Sequence, residues 1–328
     1  MKAAPTVLII QTAFIGDVIL ATALIESIRS KFPQAKIDFV VRKGNEGLVN
    51  GNPGLQRVFI LDKTKKYTSL LKLIAEFRRS RYDYLINVQR FATTGLMTIL
   101  SGASTTIGFD KNPFSWLFSR RIRHAIGQTH EVDRNHRLLE PLGVTDCCRP
   151  KVYPTQQQWD KVMTYKSGPY VTISPASVWF TKQWPADQWI AFLTQVSKYK
   201  IYLLGGPDDR SLCEEICARL QGRDVANLAG KLSLVESAAL MKDAQMNFVN
   251  DSAPLHLASA MNAPVTAVFC STVPSFGFGP LSDRSIIIET KEALDCRPCG
   301  LHGYRQCPKG HFRCASSIDP ARLHESLD

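Results

Sequence analysis

Nothing in this chain approaches 18 consecutive apolar residues, so no membrane-spanning helix is expected. The apolar run Val7 to Ile10 is too short and too soon interrupted for a signal peptide, which makes a cytoplasmic protein the expectation. The dinucleotide fingerprint G-x-G-x-x-G is missing from the first turn of both halves. Gly230-Lys231 is not a phosphate-binding P-loop either, because Leu232 follows it and Val225 stands where the motif needs its first glycine. Dehydrogenase and nucleoside-triphosphatase readings thereby lose their main support. Acidic residues are scarce in one half only: residues 1–150 hold 22 Lys+Arg against 12 Asp+Glu, whereas residues 151–328 hold 18 against 17.

The net charge of +11 therefore belongs to the N-terminal half. It collects in Lys63, Lys65 and Lys66, in Arg78, Arg79 and Arg81, and in Arg120, Arg121 and Arg123, each group beside apolar or aromatic residues. One such group is ordinarily a solvated face. Three in one half favour a polyanionic partner: nucleic acid, an anionic membrane surface or a phosphorylated substrate.

What remains is an ordinary soluble composition, 45% hydrophobic and 21% charged, in 328 residues, enough for two domains of about 150 residues each. Short β-branched runs alternate with helical periodicity. Strands are expected at Val7–Ile10, Ile37–Val41, Val58–Leu61 and Tyr84–Val88, with helices from Val18 to Ile28 and Thr68 to Arg79. The rhythm fades through Pro150, Pro154 and Gln156–Gln158 and restarts at Tyr170. In the second half strands are expected at Tyr170–Ser174, Ile201–Leu204, Asn247–Asn250 and Val265–Phe269, alternating with helices at Asp187–Lys198, Asp208–Leu220, Leu234–Lys242 and Pro254–Met261. This is an α/β pattern of two doubly wound domains, over residues 1–155 and 165–328, with a linker at roughly 150–168 and ligands expected in the cleft between them.

Three loops at strand ends carry chemistry. Asp17 follows Gly16 at the start of the first helix. It can serve the helix dipole, or project a carboxylate able to take a proton from an acceptor hydroxyl. The loop Ser174 to Pro185 holds a lone Lys182 between Trp179 and Trp184, with hydroxyl donors at Ser174, Ser177 and Thr181. It can pack over the sheet or meet a phosphate. Asn250-Asp251-Ser252-Ala253-Pro254-Leu255-His256 opens a helix, with Asp251 or Ser252 as the expected N-cap, and the same N-terminus suits a diphosphate. His256 can bond that phosphate or sit satisfied in the core. Gly205 and Gly206 form a further strand-to-helix turn where backbone can approach a ligand closely.

Nine cysteines in a chain without an export signal are expected as thiols. Cys213 and Cys217 lie one helical turn apart and are expected to pack. Cys296, Cys299, Cys307 and Cys314 crowd into 19 residues with His302 and His311. Zinc, buried thiols or an oxidation-dependent disulfide are all compatible with that spacing.

The segments Val7-Leu8-Ile9-Ile10 with Gly16-Asp17-Val18, Lys182-Gln183-Trp184-Pro185, Leu204-Gly205-Gly206-Pro207 and Asp251-Ser252-Ala253-Pro254-Leu255-His256-Leu257-Ala258 resemble, in order and spacing, the bacterial heptosyltransferases of glycosyltransferase family 9. The resemblance covers essentially the whole chain and implies a GT-B fold. Its N-terminal Rossmann-like lobe would bind the lipopolysaccharide inner-core acceptor, and its C-terminal lobe ADP-heptose. It implies an inverting displacement with no metal and no cofactor, and the D-x-D metal motif is indeed absent, Glu131-Val132-Asp133 coming nearest. By resemblance Asp17 matches the general base and Lys182 the group that neutralises the departing phosphates. Ser177, Thr181, Gly205, Gly206, Asp251, Ser252, Ala253 and His256 fall to the nucleotide-sugar site, with Ser252 and Ala253 standing where the family often has Thr and Gly. Lys63, Lys65, Lys66, Arg120, Arg121 and Arg123 fall to the acceptor side and to peripheral contact with an anionic inner membrane, with no role for nucleic acid. The cysteine tail resembles the branch that adds the second heptose. Transfer from another nucleotide sugar, a nucleotide-linked oxidoreductase and a nucleic-acid-binding protein are the competing readings.

Overall fold

A computed structural model describes residues 4–127 and 129–327. The chain divides into two units, residues 1–153 and 154–328. Within unit 1 the order is β1 (Thr6–Ile10), α1 (Ile15–Lys31), β2 (Lys36–Arg42), β3 (Leu55–Leu61), α2 (Lys66–Ser80), β4 (Tyr84–Asn87), α3 (Ala92–Leu100), β5 (Thr105–Phe109), β6 (Arg120–Ile122) and α4 (Glu131–His136). Unit 2 runs α5 (Gln156–Met163), β7 (Tyr170–Ser174), α6 (Ala186–Leu193), β8 (Lys200–Leu203), α7 (Arg210–Arg219), β9 (Val225–Asn227), α8 (Leu234–Lys242), β10 (Met246–Asn250), α9 (Ala253–Met261), β11 (Val265–Phe269), β12 (Ser285–Glu289) and α10 (Arg313–Ser316).

Each unit holds one six-stranded sheet, ordered β3-β2-β1-β4-β5-β6 and β12-β11-β10-β7-β8-β9, with every pairing parallel. Counted within its own unit, each sheet has the same order. The chain leaves the first strand, winds outward on one side, then returns to build the other, so the switch points lie between β1 and β4 and between β7 and β10. The central strands are buried because helices cover both faces: Val7 to Ile10 and every residue of β7, β10 and β11 are buried, including the polar Thr172, Ser174, Asn247 and Asn250. Helix α1 is buried nearly all round, from Val18 to Ile28, and carries little amphipathic signal for that reason. In unit 2 the Trp184 and Trp189 rings meet edge to face at 4.8 Å, and the Trp184 indole N–H donates to the Ala315 carbonyl at 3.1 Å.

The expected strands all form, within a few residues of their expected ends. Four further strands, β5, β6, β9 and β12, complete the sheets, the last three as short, partly exposed edges. The helix expected at Asp187–Lys198 stops at Leu193, and the one expected from Asp208 begins at Arg210 after a 3-10 turn over Pro207–Asp209. The segment expected as linker contains α5 instead. Thr155 caps it: the Thr155 hydroxyl accepts the Gln158 N–H at 3.4 Å and the Gln158 side chain accepts the Thr155 N–H at 2.9 Å. The helix packs on α8, with Lys161 paired to Glu236 at 2.9 Å, so it belongs to unit 2.

Candidate functional site

In unit 1 the loop Gln11–Phe14 carries the chain from β1 into α1. The Gln11 side-chain oxygen accepts the Ala13 N–H at 3.1 Å, and the Asn45 amide donates to the Ala13 carbonyl at 3.1 Å. Asp17 is the third residue of α1, where its carboxylate accepts the Phe14 N–H at 3.2 Å. Glu131, at the start of α4, lies close enough for Asp17 to act on it. Burial pushes the Glu131 carboxyl up and Asp17 adds to this, while Arg134 and Arg90 oppose it. Arg134 is itself buried, giving two N–H bonds to Glu131 at 2.6 and 2.9 Å.

A chain of buried amides extends this site along the strand ends. The Gln89 amide donates to the Gln11 oxygen, and the Asn112 amide donates to the carbonyls of Gln89 and Phe91, both at 3.1 Å. Asn112 thereby brackets Arg90, and Arg90 and Lys111 are both exposed, in the loops after β4 and β5. Burial, then Arg90 and Arg134, hold the His124 imidazole down at about 4, with Lys111 adding and Asp110 opposing. This corner is strongly cationic.

The expected basic groups separate. The Lys63 ammonium reaches the Thr12 carbonyl at 3.2 Å, joining the loop before Asp17, and burial and Arg42 lower its pKa. Lys65 is exposed at the N-cap of α2, and the Lys66 side chain lies outside the described residues. Arg78, Arg79 and Arg81 sit at the C-terminal end of α2, favourable for the helix dipole but at the opposite end of the sheet from Asp17. Arg120 and Arg121 on edge strand β6 lie three strands from β1, roughly 14 Å at the usual spacing, with Arg123 just beyond.

In unit 2 the loops after β7 and β10 are stitched at the switch point. The Asn250 side chain accepts the Trp184 N–H at 3.0 Å and donates to the Pro175 carbonyl at 2.7 Å. This brings the Lys182 ammonium 2.7 Å from the Asp251 carboxylate, which also accepts the Thr272 hydroxyl at 2.6 Å. The pair is largely buried, at 15% and 6% side-chain exposure. Asp251 is thus an ion-pair partner and does not cap α9. Ser252 is the N-cap residue, yet its hydroxyl turns to the Asn250 carbonyl at 3.4 Å, so no side chain caps the helix that Ala253 begins. His256 is buried in the first turn of α9, edge-on to Phe278.

The Thr181 hydroxyl is buried and accepts from the Tyr304 N–H at 2.7 Å and the Ser271 hydroxyl at 3.0 Å, so it holds the loop rather than facing outward. The Ser177 N–H donates to Gln183 at 3.3 Å. At the end of β8, Asp209 accepts the Gly206 N–H at 2.7 Å, and a Cβ at Gly205 would stand 2.7 Å from the Asp209 Cβ.

All nine cysteines are thiols. Cys213 is buried, and Cys217 packs against the same core. Burial, with Cys299 and Cys307 next, pushes the Cys314 thiol up to about 11, so these thiols are neighbours. Among the described residues no group of three or more His, Cys, Asp or Glu side chains suits a metal, so the zinc alternative is not assembled.

Residues 70–303 match the model of glycosyltransferase family 9 (heptosyltransferase). Lipopolysaccharide heptosyltransferase 3 of Escherichia coli K12 is 28% identical over 278 residues, covering 78% of this chain and 80% of that protein. The glycosyl transferase family 9 structure from Veillonella parvula superposes with a TM-score of 0.84 at 20% identity, over 99% of this chain and 97% of that one. Escherichia coli ADP-heptose lps heptosyltransferase II gives 0.81 at 21% identity, over 98% and 97%.

Proposed function

This chain belongs to glycosyltransferase family 9, and from that premise we propose that it transfers heptose from ADP-heptose to the lipopolysaccharide inner core, with inversion and without a metal. It is a glycosyltransferase with two Rossmann-like lobes in the GT-B arrangement of strands. The observation that carries the finer reading is one of position: Asp17 and Lys182 each stand in the segment after the first strand of a six-stranded sheet, at its switch point.

In this reading Asp17 takes the proton from the attacking acceptor hydroxyl, oriented by the Phe14 N–H. Burial raises the Glu131 carboxyl beside Asp17, and the Arg134 guanidinium meets it with two N–H bonds. Attack on the anomeric carbon forms the new glycosidic bond as the bond to the ADP oxygen breaks, and ADP leaves with the electron pair. Lys182 and the uncapped start of α9 meet that growing charge, each such preorganised donor contributing about 3 kcal/mol. Arg90, Lys111 and Lys63 suit acidic groups of the acceptor.

Exposed Trp116 and Leu117 lie four and three residues before Arg120, which stands with Arg121 on β6, and Arg123 is just past the strand, an apolar tip near three cations in the chain. We assign this edge to peripheral contact with an anionic membrane. No helix among the described residues is long and apolar enough to cross one.

The test is transfer from ADP-heptose to core acceptors carrying none, one or two heptoses, with the product anomer read by NMR and chelator present throughout. Asp17→Asn should keep ADP binding and lower kcat by at least ~10²-fold. Turnover close to wild type in that variant removes Asp17 from the mechanism. Thermal shift separates the rival classes, since a ligand at 100 times its Kd stabilises by about 2.7 kcal/mol. Stabilisation by NAD or an oligonucleotide, and not by ADP-heptose, would overturn the reading.

A further inference from the structure

We propose that the segment Cys296–Tyr304 is a positioning arm for Lys182, anchored by Arg297 and seated through Gly303. The proposal rests on the donor-site reading of Lys182 and goes beyond it, because it assigns the arm the task of holding the lysine where it is.

The Arg297 guanidinium is mostly buried and spends its fork on the chain just past β11. It donates to the carbonyls of Cys270 at 2.7 Å, Thr272 at 2.8 Å and Phe269 at 3.2 Å, and its charge is met by Glu289 at the end of β12. The Cys299 N–H adds a bond to the Ser271 carbonyl at 2.8 Å. Four consecutive residues, Phe269 to Thr272, are thus fixed by the arm. Thr272 is the residue whose hydroxyl holds Asp251, and Asp251 holds Lys182. From the other side, the Tyr304 backbone forms two bonds to Thr181: its N–H donates to the Thr181 hydroxyl at 2.7 Å, and its carbonyl accepts the Thr181 N–H at 3.1 Å. The arm therefore holds the residue before Lys182 in the chain and the Thr272 that bonds Asp251, one neighbour of each partner of the ion pair.

Gly303 is where the fit is closest. Its φ is +75°, and a Cβ there would stand 2.8 Å from the Thr181 hydroxyl, 3.0 Å from the Lys182 Cγ and 3.3 Å from the Ser271 hydroxyl. A methyl group at this position must push the lysine stem or the arm aside. Arginine, not lysine, suits the anchor because three carbonyls arrayed along a turn need several N–H groups in one plane.

The experiment compares Arg297→Gln, Arg297→Lys and Gly303→Ala with wild type, measuring ADP affinity and the KM of donor and acceptor separately. Arg313→Gln, which breaks an exposed ion pair to Glu292 farther along the tail, is the control. Arg297→Gln and Gly303→Ala should each weaken ADP binding about tenfold or more, the scale of one lost bond to a charged group, with acceptor KM unchanged. Arg297→Lys should recover part of the loss, and Arg313→Gln should match wild type. In a Lys182→Ala background, Gly303→Ala should weaken ADP binding no further, since residues acting through one group are not additive. Should Arg297→Gln fail to fold, Gly303→Ala and the double variant still decide the matter. Effects that add in that background, or acceptor KM rising as much as donor KM, would overturn the arm. ADP affinity lost in Lys182→Ala but kept in Gly303→Ala and Arg297→Lys overturns the arm alone. ADP affinity unchanged in Lys182→Ala overturns the donor-site reading and the arm with it.

Discussion

The two units solve one topological problem with opposite charges. In each sheet the loops after the first and fourth strands flank the switch point, and in each unit a buried side-chain amide ties those loops together: Gln89 to Gln11 in unit 1, Asn250 to Pro175 and Trp184 in unit 2. What the loops display differs. Unit 1 offers a carboxylate, Asp17, with cations farther out at Arg90 and Lys111. Unit 2 offers a cation, Lys182, already matched by Asp251. The fold decides where chemistry can be placed, and residue type decides its sign. In the reaction proposed above, one unit would draw in an acidic ligand and take its proton, and the other would meet the charge that grows on the leaving group.

The sharpest way to break this comparison is to remove the acid from each unit. Asp251→Ala leaves the Lys182 ammonium buried without its partner, which typically costs 3–5 kcal/mol. Asp17→Ala removes one bond to the Phe14 N–H at an N-terminal first turn, worth about 1 kcal/mol. Chemical denaturation should show the larger loss in Asp251→Ala. Equal losses would mean that the Lys182–Asp251 pair is not the compensated element that sets unit 2 apart.

The parts of this design that announce themselves in the sequence are those where local pattern and burial agree. The run at Val7–Ile10 reads as an unbroken apolar strand, Tyr170–Ser174 reads as a β-branched strand buried throughout despite Thr172 and Ser174, and Lys182 stands out as the lone cation in an aromatic loop. Edge strands β6, β9 and β12 do not announce themselves, because three to five half-exposed residues owe their conformation to a distant partner strand. Helix α5 was legible in the capping signature Thr155-x-x-Gln158, which three glutamines in a row disguise as a polar break. Arg90 is a single residue outside any charge cluster, and only its place just past a strand end marks it. Arg297 gives little signal, since its partners are three backbone carbonyls and the single carboxylate of Glu289, and the pairing of Lys182 with Asp251 joins residues 69 positions apart.

Next in size is a contrast within unit 1. Charge reversal at Arg120, Arg121 and Arg123 should weaken binding to anionic vesicles by about 10²-fold at low salt, at about 1 kcal/mol per basic residue near the surface. The same reversal at Arg78, Arg79 and Arg81, at the other end of the sheet, should change it far less. Sedimentation with vesicles rich in phosphatidylserine measures both, and equal effects would reduce the β6 edge to general surface charge. A smaller effect is expected at the cationic corner. Arg90→Ala should raise acceptor KM about tenfold while donor KM stays put, as befits one charge-assisted contact made in unit 1 only. A matching rise in donor KM would remove the division of labour between the units.

The smallest effect concerns pH, and it follows from how unit 1 crowds its cations. His124 is half-buried against Phe109 at a ring distance of 4.7 Å, and burial, Arg90 and Arg134 hold its pKa at about 4 against an ordinary 6.5. Between those values the unfolded chain binds a proton that the native chain refuses. Stability is therefore intact above pH 6.5 and falls as the pH drops through 6.5 toward 4, levelling off below the native value. Partial exposure lets solvent screen the neighbouring charges, so the loss is modest. His124→Gln keeps a polar side chain without the titration, and its unfolding midpoint should fall less steeply than wild type over that window. The same comparison in an Arg90→Ala background should shrink the difference, because one of the charges depressing the imidazole is gone. Identical wild-type and His124→Gln curves from pH 7 to 4 would mean that the cations do not converge on His124, and the cationic corner of unit 1 would lose its internal reporter.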